Sequence, residues 1–136
     1  MILDSRHEEY VMNILSGLSH RVILTLHSDR WDSVATKATQ DLINYTGSLA
    51  PTKISCELAP GGPVSWADPM LTIRNEDDET PFGVQFVGSP SGLEYREFLQ
   101  TIRLATRQNL SSSMPELPLL SHIQRPVSAQ IFVSPT

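Results

Sequence analysis

The stretch from Gly83 to Asn109 constrains this chain more than any other. A short apolar run, Val84, Phe86 and Val87, ends at Gly88-Ser89-Pro90, residues that break regular structure. Beyond them, Tyr95, Phe98, Leu99, Ile102 and Ala105 recur at steps of three and four. That spacing sets them on one face of a helix, because 3.6 residues make a turn. Ser91 with Glu94 has the spacing of a capping box, and Ser89 with Pro90 at the first helical position is an equally good start. The unit is a strand, a tight turn, and a helix that must lie across a sheet.

Upstream, Asp4 or Ser5 can cap a first helix, and Ser5 with Glu8 repeats the capping-box spacing. Its apolar stripe is Tyr10, Val11, Ile14, Leu15 and Leu18, and Gly17 marks its stop. Val22-Ile23-Leu24-Thr25-Leu26 is nearly continuous in apolarity, as a strand buried on both faces would be. The turn His27 to Ser33 leads to a second helix, expected from about Ser33 to Asn44. Val34, Ala35, Ala38, Leu42 and Tyr45 lie near its core face, and Gly47 is its stop. Ile54 to Leu58 and Met70 to Ile73 read as strands, separated by the loop Ala59-Pro60-Gly61-Gly62-Pro63. The acidic run Glu76-Asp77-Asp78-Glu79 turns the chain back toward Val84 to Val87.

The predicted order is helix, strand, helix, three strands, helix. A helical crossover makes parallel strands and the acidic turn an antiparallel hairpin, so the sheet is mixed. This order, with Gly88-Ser89-Pro90-Ser91-Gly92 between last strand and last helix, resembles the N-terminal thioredoxin-like domain of two related families. These are the tandem, glutaredoxin-like protein disulfide oxidoreductases and the F component of alkyl hydroperoxide reductase. The resemblance implies an α/β, thioredoxin-like three-layer fold over residues 1–109: a mixed four-stranded sheet, helices on both faces, and an extra N-terminal helix.

The same resemblance implies where chemistry belongs. In redox-active relatives a Cys-x-x-Cys lies where the first sheet strand meets the following helix, whose N-terminus lowers the first thiol's pKa. By position the matching turn here is Asp29-Arg30-Trp31-Asp32, with Asp29 and Asp32 in place of the cysteines. Carboxylates at a helix start also have a plain structural use, capping orphan N–H groups. The family places a cis proline before the strand facing this turn. Pro69 has that position, and Asp68 would offer its backbone to an extended substrate. The alternative is an ordinary loop proline introducing a strand.

Other chemistries find little support. Cys56 is the single cysteine, so an intrachain disulfide is excluded, and its place within a strand reads as a structural free thiol. His7, His20, His27 and His122 share no metal-ligand spacing, and the acidic run lacks the alternating ligands of a calcium loop. No pattern calls for a metal or a cofactor. Trp31 and Trp66 fall in loops, where they line a partner surface or cover the sheet edge. A net charge of −5 with ten scattered basic residues speaks against a nucleic-acid surface. No apolar run reaches membrane-span length, and the first residues lack a signal peptide's pattern. The expectation is a cytoplasmic protein.

Residues 110–126 carry Ser111-Ser112-Ser113 and Pro115, Pro118 and Pro126, the composition of a linker. Residues 127–136, Val127 to Thr136, read as the first strand of a second thioredoxin-like domain. In the tandem families such a strand is followed by Cys-Pro-x-Cys. The expectation is thus a piece truncated before its redox domain. The other reading of this strand is that it completes the first domain's own sheet. A solitary apolar strand seeks a sheet edge of its own chain or of a neighbour, the latter giving a homodimer by strand pairing.

Three functions follow. The first is a non-catalytic domain of a thiol–disulfide oxidoreductase, partnered by a CxxC-bearing domain of the same parent and by a disulfide-containing protein substrate. The second is an autonomous module that binds extended peptides. The third is a one-cysteine redox enzyme using Cys56, and it ranks last.

Overall fold

The computed structural model describes residues 3–62, 66–107 and 122–133. Seven elements occur in the order α1 (Ser5–Ser16), β1 (Val22–His27), α2 (Val34–Leu49), β2 (Ile54–Ala59), β3 (Met70–Asn75), β4 (Phe86–Val87) and α3 (Glu94–Ala105). The strands form one mixed sheet in the order β2-β1-β3-β4. β1 runs parallel to β2 with Leu24 opposite Cys56, and antiparallel to β3 with Leu24 opposite Ile73. β4 adds to β3 through Met70 opposite Val87 and Leu71 opposite Phe86. This is the thioredoxin-like arrangement, with α1 as the leading extra helix.

Alternation along the strands decides where the core sits. Val22, Leu24 and Leu26 of β1 share a face with Ile54 of β2 and with Leu71 and Ile73 of β3, and all of them join one buried cluster. Val11 and Leu15 of α1, Leu42 and Ile43 of α2, and Tyr95, Phe98, Leu99 and Ile102 of α3 complete that same cluster. All three helices therefore cover one face. The other face carries Thr25, His27, Glu57, Thr72 and Arg74. There His27 Nε2 lies 3.1 Å from Thr72 Oγ1, and Arg74 reaches Glu57 across β1 at 3.5 Å. Helices on both faces are not seen among the described residues, and those between β2 and β3, 60–62 and 66–69, form no helix.

α3 buries the five apolar positions read from its period, but it starts later than the capping patterns suggest. Neither the Ser91–Glu94 box nor a Ser89-Pro90 start forms. Gly92, at φ +63°, turns the chain in the left-handed region, and the N-cap is Leu93, which offers no side-chain acceptor. At α1 the cap is Asp4, whose carboxylate accepts from Arg6 N and His7 N. Glu8 closes no box with Ser5; it accepts a hydrogen bond from Tyr45 Oη.

α2 departs most from the expected pattern. It runs through Gly47 to Leu49, and its buried face is Thr36, Thr39, Leu42, Ile43 and Thr46. Val34 is 85% exposed, and Ala35 and Ala38 are exposed as well. Threonine can face a core when its hydroxyl is satisfied locally. Thr39 donates to Ala35 O and Thr46 to Leu42 O, each at 2.8 Å, and Thr46 also meets Tyr95 Oη at 2.8 Å.

Tyr10 is 44% exposed and stands at the edge of the α1 stripe. β4 is only two residues long, and Val84 lies outside it. Gln108, Asn109 and most of the linker (110–121), together with Ser134 to Thr136, lie outside the described residues. Val127 to Val133 form no strand, and Ile131 and Phe132 are among the most exposed apolar side chains, so no docking on the chain's own sheet edge is present among the described residues. No helix among the described residues is long and apolar enough to cross a membrane.

Candidate functional site

Three segments converge at the C-terminal end of β1: the turn 28–33, the end of β2 with Pro60 and Gly61, and the loop 66–69 before β3. The Asp68–Pro69 bond is cis, and Pro69 O accepts from Gly88 N at 2.9 Å, which ties the loop to the turn preceding α3. Asp68 clips the loop to the turn with both oxygens. Oδ1 accepts from Ser28 Oγ at 2.6 Å, and Oδ2 from Asp29 N at 2.9 Å. Asp29 answers in the other direction, its Oδ1 accepting from Gly61 N at 3.0 Å. A Cβ on Gly61 would stand 2.5 Å from Asp29 Oδ2, so a larger residue there would have to push the Asp29 carboxylate aside.

Ser28 is fully buried and lies at the centre of a directed hydroxyl chain. The hydrogen bond from Ser28, then the backbone N–H of Asp29 and more weakly the Arg30 charge, hold the Asp68 carboxyl below its ordinary value against some desolvation. An ionised carboxylate only accepts, so Ser28 must donate to it. The 3.0 Å contact of Ser28 with Thr36 is then donated by Thr36, and Ser33 in turn donates to Thr36 Oγ1 at 2.8 Å. Ser28 Oγ also accepts from Arg30 N at 3.0 Å. Every proton in the chain Ser33, Thr36, Ser28, Asp68 points toward the carboxylate.

The start of α2 completes the site. Its N-cap is Ser33, whose hydroxyl accepts from Thr36 N at 3.1 Å. Asp29 and Asp32 are not the caps that a carboxylate-rich helix start suggests. Asp29 is engaged with Gly61, and Asp32 is exposed. Ser28, Ser33 and Thr36 are site residues that the sequence reading does not pick out. Their signal is present as Ser33-x-x-Thr36, hydroxyls at the spacing of a dithiol motif.

Trp31, 38% exposed, lines an open depression of about 420 Å³ with Ser28, Asp29, Leu58, Ala59 and Pro60. Trp66 stands 57% exposed. Cys56 is remote from the turn. It lies mid-β2, half-buried, with Sγ 3.3 Å from Ile43 O, and burial pushes its thiol above the ordinary value. A thiol kept protonated is a poor nucleophile. Cys56 is expected to react slowly with an aromatic disulfide reagent at pH 8 in the native state and rapidly in denaturant. Native reaction as fast as that of a free thiol would contradict this burial. No group of three His, Cys, Asp or Glu side chains among the described residues is placed to hold a metal ion.

No protein-family model matches the chain, and no curated protein matches it. Solved structures do. A cysteine-to-alanine variant of the alkylhydroperoxide reductase component AhpF from Enterococcus faecalis superposes with a TM-score of 0.70 at 18% identity, over 83% of this chain and 58% of that one. The NTD_N/C domain of AhpF from the same organism gives 0.69 at 18% identity, over 82% and 57%. The chain thus spans a little under three fifths of the length of either. At this identity the likeness is one of fold.

Proposed function

We propose that this chain is a non-catalytic thioredoxin-like domain of a cytoplasmic thiol–disulfide oxidoreductase serving redox homeostasis. It shapes the cleft in which a CxxC-bearing second fold of the same protein reduces a protein disulfide or a peroxiredoxin. The observation that carries this reading is the start of α2, where the hydroxyls of Ser33 and Thr36 are linked through Ser28 to Asp68, the residue before the cis proline. The helix N-terminus that would stabilise a thiolate instead receives the neutral Ser33 cap, and no cysteine among the described residues is in reach. Electron transfer then belongs to the partner fold. The turn Asp29 to Asp32 and the Asp68-Pro69 loop remain as a binding edge, and the likeness to AhpF supports a multidomain setting. In that setting Val127 to Val133 enter the second fold as its first strand, which would cover Ile131 and Phe132.

The test has two arms. In an insulin-reduction assay with dithiothreitol, the chain alone is expected to add nothing to the background rate. Titrated against a separately made CxxC-bearing second fold, it is expected to associate in calorimetry and raise that fold's rate on a protein disulfide. Reduction of insulin by the chain alone, or no association, overturns the reading.

A further inference from the structure

The depression beside Trp31 lies on the β2 flank of the turn, since Leu58, Ala59 and Pro60 form its far wall. The cis bond is on the opposite flank, next to β3. Among the described residues β2 pairs only with β1, so its outer edge is an open row of backbone donors and acceptors. Leu58, 55% exposed on that strand, and Trp31, 38% exposed, give the depression an apolar floor open to an occupant. The turn beside it carries two carboxylates, Asp29 and Asp32, against the single cation Arg30, on a chain whose net charge is −5.

An occupant must therefore bring apolar surface and positive charge together. Lysine and arginine do so in one side chain, an aliphatic stem with a cationic tip, and a cation is further attracted to the face of an indole ring. An acidic segment would meet like charge at the same place. We propose that the depression docks an extended, lysine- or arginine-bearing segment of a partner protein along the β2 edge. The basic stem lies on Trp31, Leu58 and Pro60, and its cation faces Asp29 and Asp32. This inference rests on reading the turn as a binding edge, and it does not depend on the dithiol of a second fold.

Two peptides of equal length test it, sharing a Val/Thr/Ser framework and carrying either lysine or glutamate at alternate positions. Each is titrated into the full chain at pH 7 and low salt. Binding is read by calorimetry and by Trp31 emission in a Trp66→Phe background. The lysine peptide is expected to bind at least about tenfold tighter than the glutamate peptide, and to weaken about fivefold with Asp32→Asn or on raising salt. Asp32 is exposed, so its replacement leaves the fold intact. Leu58→Ser is expected to weaken the same peptide and to blunt the change in emission.

Equal affinity for both peptides, or no binding of the lysine peptide, overturns the inference. So does binding that Asp32→Asn and Leu58→Ser leave unchanged. A chain that binds the lysine peptide but not the CxxC-bearing fold keeps this inference and removes the proposed function. The converse result removes this inference alone.

Discussion

Replacing Phe98 with alanine is expected to remove about 3–5 kcal/mol of stability, a large effect for a single substitution. Phe98 is fully buried on α3, with its ring edge-on to Phe86 at 5.4 Å between centroids and tilted against Tyr95 at 6.2 Å. Phe86 belongs to β4, which pairs with β3 over only two residues. Phe98 therefore does two things: it fills the space between helix and sheet, and it pins a strand that backbone pairing alone holds weakly. Truncation leaves a cavity that all three helices would have to close, and a domain of this size has only about 5–15 kcal/mol in total. Urea denaturation measures the loss as a lower midpoint at constant slope. Phe98→Leu, which keeps most of the volume, is expected to cost less than half as much. A loss near 1 kcal/mol for the alanine variant, well under the range usual for such a truncation, would mean that the core does not depend on this ring.

That stabilising residue was legible in the sequence, for a simple physical reason. The stripe Tyr95, Phe98, Leu99, Ile102, Ala105 is apolar at every buried position, so periodicity alone identifies the inward face of α3. β1 is equally plain, because five successive apolar or β-branched residues leave no other reading. α2 was legible as a helix but not in its orientation. Its inward face is three threonines with Leu42 and Ile43, and a hydropathy pattern counts threonine as neutral while Val34 and Ala38 draw the eye outward. The hydroxyls that make those threonines tolerable are satisfied by carbonyls and Tyr95 for Thr39 and Thr46 and by Ser28 and Ser33 for Thr36, partners that only the folded chain reveals.

The site was legible in the same partial way. The turn after β1 and the proline before β3 could be placed from element order and resemblance. The clamp between them could not, because it joins Ser28 to Asp68, forty residues apart. Nor does sequence show that the helices lie on one face of the sheet. A crossover fixes the hand of one helix relative to its strands. The single layer among the described residues follows from their lack of a helix between β2 and β3, and from the packing of α1 against α2 and α3.

The clamp itself yields the second large effect. Ser28→Ala is expected to cost about 1–3 kcal/mol at pH 7, because removing this buried hydroxyl strands its partners. Thr36, also fully buried, loses the acceptor for its proton, and Arg30 N loses its acceptor too. Asp68 keeps only the Asp29 N–H. The effect should depend on pH with a definite sign. Asp68 has its folded pKa lowered, chiefly by the Ser28 hydrogen bond, so its stabilisation is complete above the unfolded value and fades as pH falls through the folded one. The gap between wild type and Ser28→Ala should thus be widest near neutrality, begin to narrow below about pH 4, where the unfolded chain takes up its proton, and close as pH falls through the lower folded value. Adding Thr36→Val should recover part of the loss, since it removes the proton that the first change stranded, and the remaining Ser33 hydroxyl is partly exposed to water. Chemical denaturation of the two variants and wild type between pH 3 and 7 measures all three outcomes. A gap that stays constant with pH would mean that Ser28 supports the turn without acting through Asp68. A double variant less stable than Ser28→Ala would mean that the hydroxyl chain does not run in the direction assigned to it.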